Sequence, residues 1–347
     1  MPEQINLTEF SKGGGCGCKI GPSDLHKILD NINTGTQSEK LIVGNTTNDD
    51  AAVYDLGNGN CLISTTDFFT PLVDNPFEFG KIAATNALSD VYAMGGKPIM
   101  ALAILGYPSE KIKPEAISEI MNGATEVCNK INIAIAGGHT IESADLFFGL
   151  SVNGLVELKH LKRNNTVKAG DYIFLTKPLG AGILSAALKR KQITEDDNAK
   201  LLSSMLQLNS IGEILSKEEG VTAMTDVTGF GLLGHLSEVC NGGNVSAEIN
   251  FSKIRFITNL EPYLDKFIYP DITTKNYAAI SANVTDLDAK QLFTLCDPQT
   301  SGGLLIFVSE DVKEKISALL NAKGINKELC EPIGRIISKK EKEIYVL

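Results

Sequence analysis

Ala51-Ala52-Val53-Tyr54 and Cys61-Leu62-Ile63-Ser64-Thr65-Thr66 stand on either side of Leu56-Gly57-Asn58-Gly59-Asn60. Two short runs rich in β-branched residues around a Gly/Asn connection read as strand, turn and strand. Acids border both runs: Thr47-Asn48-Asp49-Asp50 precedes the first, and Asp67 follows the second.

Helices and strands alternate beyond the hairpin. Residues 77–94 have helical spacing, and Gly95-Gly96 with Pro98 closes them. On that helix Asn86 and Asp90 are four apart and share a face. Residues 99–105 are a near-continuous apolar run, expected to be a buried strand. Ile117, Ile120, Met121, Ala124, Val127, Cys128 and Ile131 make one apolar stripe on a helix over 114–131. Residues 133–136 read as a strand ending at Gly137-Gly138-His139-Thr140, and residues 147–155 as another. The order predicts an α+β unit.

A second unit is expected from residue 158. It has strands at 171–176 and 221–224, a helix over 199–217, and a helix opened by Gly229-Phe230-Gly231. A strand at 304–308, a helix at 312–320 and two closing strands at 333–337 and 344–347 complete it. Three divisions follow: 1–40, a glycine-rich segment and linker with a short amphipathic helix at 23–32, expected to be mobile without ligand; 41–157; and 158–347.

Composition narrows the function. The 347 residues are 43% hydrophobic and 21% charged, which suits a packed globular core. Net charge is −10, Trp is absent and aromatics are 6%, so a nucleic-acid surface is not expected. The short Lys159-His160-Leu161-Lys162-Arg163 cluster reads as a solvated connection. No run of 18 apolar residues and no secretory leader is evident, so the expected setting is cytoplasmic, without a membrane partner. Seven scattered cysteines agree with a reducing compartment, and Cys128 reads as a small core residue.

Gly13-Gly14-Gly15-Cys16-Gly17-Cys18-Lys19 places two thiols and an amine among glycines. It reads either as a loose leader or as a loop that carries a nucleophile, with Lys19 holding an anion or favouring a thiolate. Asp50, Asp67, Asp90 and Asp226 are individually compatible with caps and turns. Together they suit a hard cation such as Mg²⁺, which takes oxygen ligands and would reverse the repulsion between carboxylates and a triphosphate. Thr47-Asn48-Asp49 and Gly138-His139-Thr140 could cradle phosphates at strand ends. No Walker-type loop and no hydrolase elbow is present.

Taken in order, these motifs resemble the selenophosphate synthetase (selenide, water dikinase) family. The likeness rests on Gly15-Cys16-Gly17-Cys18-Lys19, Asp49-Asp50-Ala51-Ala52-Val53, Ser64-Thr65-Thr66-Asp67-Phe68-Phe69, residues 83–90, Ala136-Gly137-Gly138-His139, Thr225-Asp226-Val227-Thr228-Gly229-Phe230-Gly231 and residues 296–303. The aspartate-rich strands alone indicate the wider aminoimidazole ribonucleotide synthetase-like superfamily, and the Cys/Lys segment narrows it. The resemblance implies a two-domain α+β fold, with the N-terminal domain contributing to a dimeric β-barrel beside a C-terminal α/β domain. It implies conversion of ATP, selenide and water to selenophosphate, AMP and orthophosphate. It further implies Cys16 and Lys19 as the catalytic pair, and Asp50, Asp90 and Asp226 as Mg²⁺ ligands. ATP contacts would come from Lys19, Thr47, Asn48, Asp49, Asp67, Asp90, Gly138, His139 and Thr140. A homodimer is expected, with room for a selenium-delivery protein as a further partner. A related kinase acting on an organic substrate would not need Cys16 or Lys19, and a thiol redox protein would not need the aspartates.

Overall fold

The computed structural model describes residues 6–10, 14–20, 28, 38–44 and 49–347. The expected helix at 23–32 therefore lies almost wholly outside the described residues. Two six-stranded sheets organise the chain. The first is built from β1 (Leu41–Val43), β2 (Ala52–Asp55), β3 (Asn60–Phe69), β4 (Lys97–Tyr107), β5 (Ile135–Glu142) and β6 (Phe147–Glu157), in the spatial order β1-β2-β3-β6-β4-β5. All its pairings are antiparallel except β4 with β5.

Two helices cover one face of this sheet, α1 (Pro76–Ala93) and α2 (Pro114–Lys130). Asn75 caps α1 by accepting from the Glu78 amide at 3.0 Å, and Pro76 follows at a position where no amide is needed. α1 is buried along most of its length because it is sandwiched between the first sheet and elements of the second half. Burying each large apolar side chain, such as Ile82 or Leu88, contributes about 1.5–3 kcal/mol. Cys128 is a core residue as expected, and burial pushes its thiol up to about 11.

The second sheet runs β12-β9-β11-β7-β10-β8, formed by β7 (Tyr172–Leu175), β8 (Val221–Asp226), β9 (Val245–Ile249), β10 (Leu304–Val308), β11 (Gly334–Ser338) and β12 (Ile344–Val346). Its helices are α3 (Ala181–Lys189), α4 (Glu195–Met205), α5 (Ile211–Leu215), α6 (Gly231–Gly242), α7 (Glu261–Leu264), α8 (Ile272–Ile280), α9 (Ala289–Leu295) and α10 (Lys313–Ala322). One apolar cluster joins the halves, with Ile183, Leu184, Leu201 and Tyr263 packing into the core of the first sheet.

Several expectations need correction. Strand β3 continues through Asp67, which lies within the strand and not after it. Gly138, His139 and Thr140 likewise sit inside β5, because backbone ladder bonds continue through polar side chains. The expected helix over 199–217 is two helices, α4 and α5, separated around Asn209. The apolar run at 99–105 is buried on one face only: Met100 and Leu102 are 40% and 38% exposed. Lys162 is not solvated. It is buried and donates to the Val221 carbonyl at 2.6 Å, and burial lowers its pKa.

Candidate active site

Strand β3, helix α1, strand β8 and the turn after Cys296 converge on the carboxylates. The pleat of β3 points Asp67 to the helix-covered side, where Asn86 of α1 donates to its Oδ2 at 2.5 Å. One turn on, Asp90 accepts from Thr65 Oγ1 of β3 at 2.5 Å. At the end of β8, Asp226 accepts from Ser89 of α1. The next residue back, Thr225, donates to Asp50 Oδ1 at 2.7 Å. Four acids from distant parts of the chain are thus oriented by neutral donors, and one donor, Thr225, and one acid, Asp226, lie on consecutive strand residues of the opposite half.

Lys19 enters this group from the glycine-rich turn. Residues Gly15–Cys18 form a 3₁₀ turn seated against the end of β3, with the Gly15 amide donating to the Thr70 carbonyl at 2.9 Å. Gly15 has φ +57°, and a Cβ there would collide with Thr300 Oγ1, so glycine is required twice over. Lys19 Nζ stands 3.9 Å from Asp67 Oδ2. The side chains of Cys16 and Cys18, and residues Thr47 and Asn48, lie outside what is described.

Like charges set these carboxylates against one another. Burial holds the Asp50 carboxyl well above the usual carboxylate range, and the charges of Asp226 and Asp90 push it further up. Burial, then Asp226 and Asp67, raises Asp90 in the same way, while Thr65 and Lys19 oppose the shift. Burial also raises Asp226, against the pull of Ser89, His235 and Lys19. Asp50 Oδ2 is enclosed and meets no hydrogen-bond donor among the described residues. Among the described residues no three His, Cys, Asp or Glu side chains already form a ready-made metal group. The donor chemistry still fits a hard cation: three buried carboxylates disfavour one another's charge, and one enclosed oxygen has no partner.

Other expected residues are placed differently. Asp49 Oδ1 accepts from the Asn164 amide at 2.8 Å, which ties the hairpin entrance to the second half. Gly138, His139 and Thr140 lie on edge strand β5, three strands from β3, at about 5 Å per strand. His139 pairs with Ile104, so alternation directs it to the open sheet face, away from Asp67. Within one chain it does not join the acids.

Sequence reasoning missed the polar scaffold behind the acids. Asn209 donates at 2.8 Å to both Ser89 Oγ and the Gly302 carbonyl. Ser301 donates its amide to Asn86 Oδ1 at 2.8 Å. Lys177, fully buried, donates to the carbonyls of Gln207 at 2.6 Å and Ser301 at 2.7 Å, and burial lowers its pKa to about 7. Asp297 and Gln299 cap α3: Asp297 Oδ2 accepts from Gly182, and Gln299 Oε1 from Gly180 and Ala181. A lysine and an asparagine inside largely apolar surroundings were the available signals.

Family models for the AIR synthase related protein match here, the N-terminal domain over residues 48–156 and the C-terminal domain over residues 168–347. A selenide, water dikinase from Sulfurovum sp. is 46% identical over 343 residues, covering 99% of each chain. One from Haemophilus ducreyi is 49% identical over 324 residues, covering 93% of this chain and 94% of its own. Among solved structures, AaThiL complexed with AMPPCP and TMP superposes with a TM-score of 0.68 at 19% identity, over 94% of this chain and 93% of its own. Hydrogenase maturation protein HypE in complex with ATP gives 0.61 at 17% identity, over 96% and 89%. At those identities the structural likeness establishes the fold.

Proposed function

Because the chain belongs to the selenide, water dikinase family, within the wider AIR synthase related group, we propose that it converts ATP, selenide and water to selenophosphate, AMP and orthophosphate, supplying activated selenium for selenoprotein or selenonucleoside synthesis. The observation that carries this reading is the approach of Lys19, from the thiol-bearing turn, to acids contributed by both halves. In this reading residues 1–40 are the catalytic segment, 41–157 the nucleotide and metal domain, and 158–347 the C-terminal domain.

The phosphate end of ATP lies against Asp67, Asp90 and Lys19, with Thr47, Asn48 and Asp49 at the hairpin entrance. Asp50, Asp90 and Asp226 would hold Mg²⁺, which supplies the charge neutralisation a triphosphate needs among carboxylates. Lys19 offsets phosphate charge directly. The scaffold of Asn86, Ser89, Thr65 and Thr225 holds the acids in place before substrate arrives, so little reorganisation is needed during phosphoryl transfer. Cys16, as thiolate, handles selenium next to the phosphates.

The active unit is a homodimer. Phe68, Met100, Leu102, Ile141 and Leu155 are each 38–48% exposed on the first sheet, an apolar surface suited to a second copy. His139 lies on that open face, where it can serve the partner's nucleotide, along with Gly138 and Thr140. A selenium-delivery protein and a cytoplasmic setting fit the same reading.

Anaerobic incubation with ATP, Mg²⁺ and selenide, followed by ³¹P NMR, tests it. Selenide-dependent AMP and a selenophosphate resonance are expected. ADP as the only nucleotide product, or turnover indifferent to selenide, would refute it. Cys16→Ser should abolish selenophosphate while leaving ATP binding intact.

A further inference from the structure

Ser301 combines two costs at one buried position. It is 2% exposed and has φ +53°, a left-handed conformation that glycine adopts freely and L-residues do not. Its neighbours in sequence, Gly302 and Gly303, are glycines, yet position 301 carries a side chain. Its hydroxyl is enclosed and has no hydrogen-bond partner among the described residues. A buried hydroxyl without a partner is destabilising, and removing the side chain would relieve both penalties together.

The surroundings say where such a group could be useful. The Ser301 amide is held by Asn86, the same side chain that orients Asp67. Its carbonyl is held by Lys177. The next carbonyl, of Gly302, is held by Asn209, which also supports Ser89 and through it Asp226. The preceding residue, Thr300, is packed against Gly15 in the thiol-bearing turn. Every other polar group of Ser301 is engaged in fixing the turn between the Asp67 side, the Asp226 side and the Cys16 turn. The hydroxyl alone is left for a ligand.

We propose that Ser301 contacts substrate, its hydroxyl donating to an oxygen of the phosphoryl group that moves between nucleotide and acceptor. This rests on the proposed reading of Asp67 as a contact of the ATP phosphates and of Asp226 as a Mg²⁺ ligand beside them. A donor aimed at that group stabilises charge during transfer more than it stabilises bound ATP.

Ser301→Gly and Ser301→Ala separate this role from a structural one. Glycine accepts φ +53° without strain, so Ser301→Gly should melt at or above the temperature of the wild type. Its kcat for selenide-dependent AMP formation should nevertheless fall about tenfold to a hundredfold, with KM for ATP changing less than about threefold. Ser301→Ala should show the same kinetic loss, and if it fails to fold, the glycine variant still decides. A Ser301→Gly enzyme within about twofold of wild-type kcat would overturn the proposal. Asp67→Asn, assayed alongside, identifies the cause of such a failure. If Asp67→Asn is inactive while Ser301→Gly is active, only the role of Ser301 is wrong. If both turn over normally, the phosphates lie elsewhere and the proposal falls with the site.

Discussion

Asp297 shows what a single side chain can do to stability here. It is fully buried, and burial pushes its carboxyl from 3.8 up to about 8, against hydrogen bonds from Gln299 and the amides of Ile183 and Gly182. Its folded pKa lies above its unfolded one, so the folded state keeps a proton that the unfolded chain releases. The contribution is therefore complete below about pH 4 and is lost as pH rises through about 8. The wild type minus Asp297→Asn difference in Tm should shrink steadily across that range, and a difference independent of pH would contradict the assignment. For Asp226→Asn, nucleotide binding should need more Mg²⁺, read by titrating the metal at fixed ATP; an unchanged Mg²⁺ requirement would remove Asp226 from the ligand set. At this scale Asp50, Asp67 and Asp226 were legible because a carboxylate beside an apolar strand is conspicuous, and Asp90 because it shares a polar helix face with Asn86. Asn209 was not, because Leu206-Gln207-Leu208-Asn209 continues a helical pattern and nothing local marks the break that turns its amide toward Ser89.

Among the elements, α1 and α2 illustrate how closely the helices on the first sheet are set. A Cβ at Gly80 would run into the Ile120 carbonyl, and one at Gly123 into the Phe77 carbonyl. The two backbones meet at reciprocal glycines. Gly80→Ala should push the helices apart and cost about 1–3 kcal/mol, measurable by urea unfolding; a variant as stable as the wild type would mean the crossing can relax. The helices themselves were readable from caps and apolar stripes. Strand limits were less so. The ends of β3 and β5 were placed too early because a polar side chain looks like a terminus, whereas the ladder bonds of Asp67 with Leu150 and His139 with Ile104 are made by backbone. The single-sided burial of β4 was equally hidden, since an apolar run with one exposed face reads the same in sequence as one in a core.

Among the described residues the apolar face of the first sheet is left open, and the proposed homodimer would cover it. Leu102→Glu places a charge in the middle of that face. The variant should elute as a monomer in size-exclusion chromatography with light scattering, while the wild type elutes as a dimer. If His139 serves a partner's site as proposed, the variant should also lose turnover. A wild-type monomer with full activity would exclude the dimer reading.

The amides of Asn86 and Asn209, together with the apolar cluster that α3, α4 and α7 share with the first sheet, also bear on how this chain can be divided. Cutting between residues 157 and 158 would separate the two sheets cleanly in sequence but not in substance. The N-terminal fragment would carry Asp67 and Asp90 without the turn that steadies Asn86, and the C-terminal fragment would carry that turn with nothing to steady. Each piece would expose half of a common core. Fragment complementation is then the expected behaviour: neither piece binds nucleotide alone, and co-expression of the two restores a site that belongs to neither.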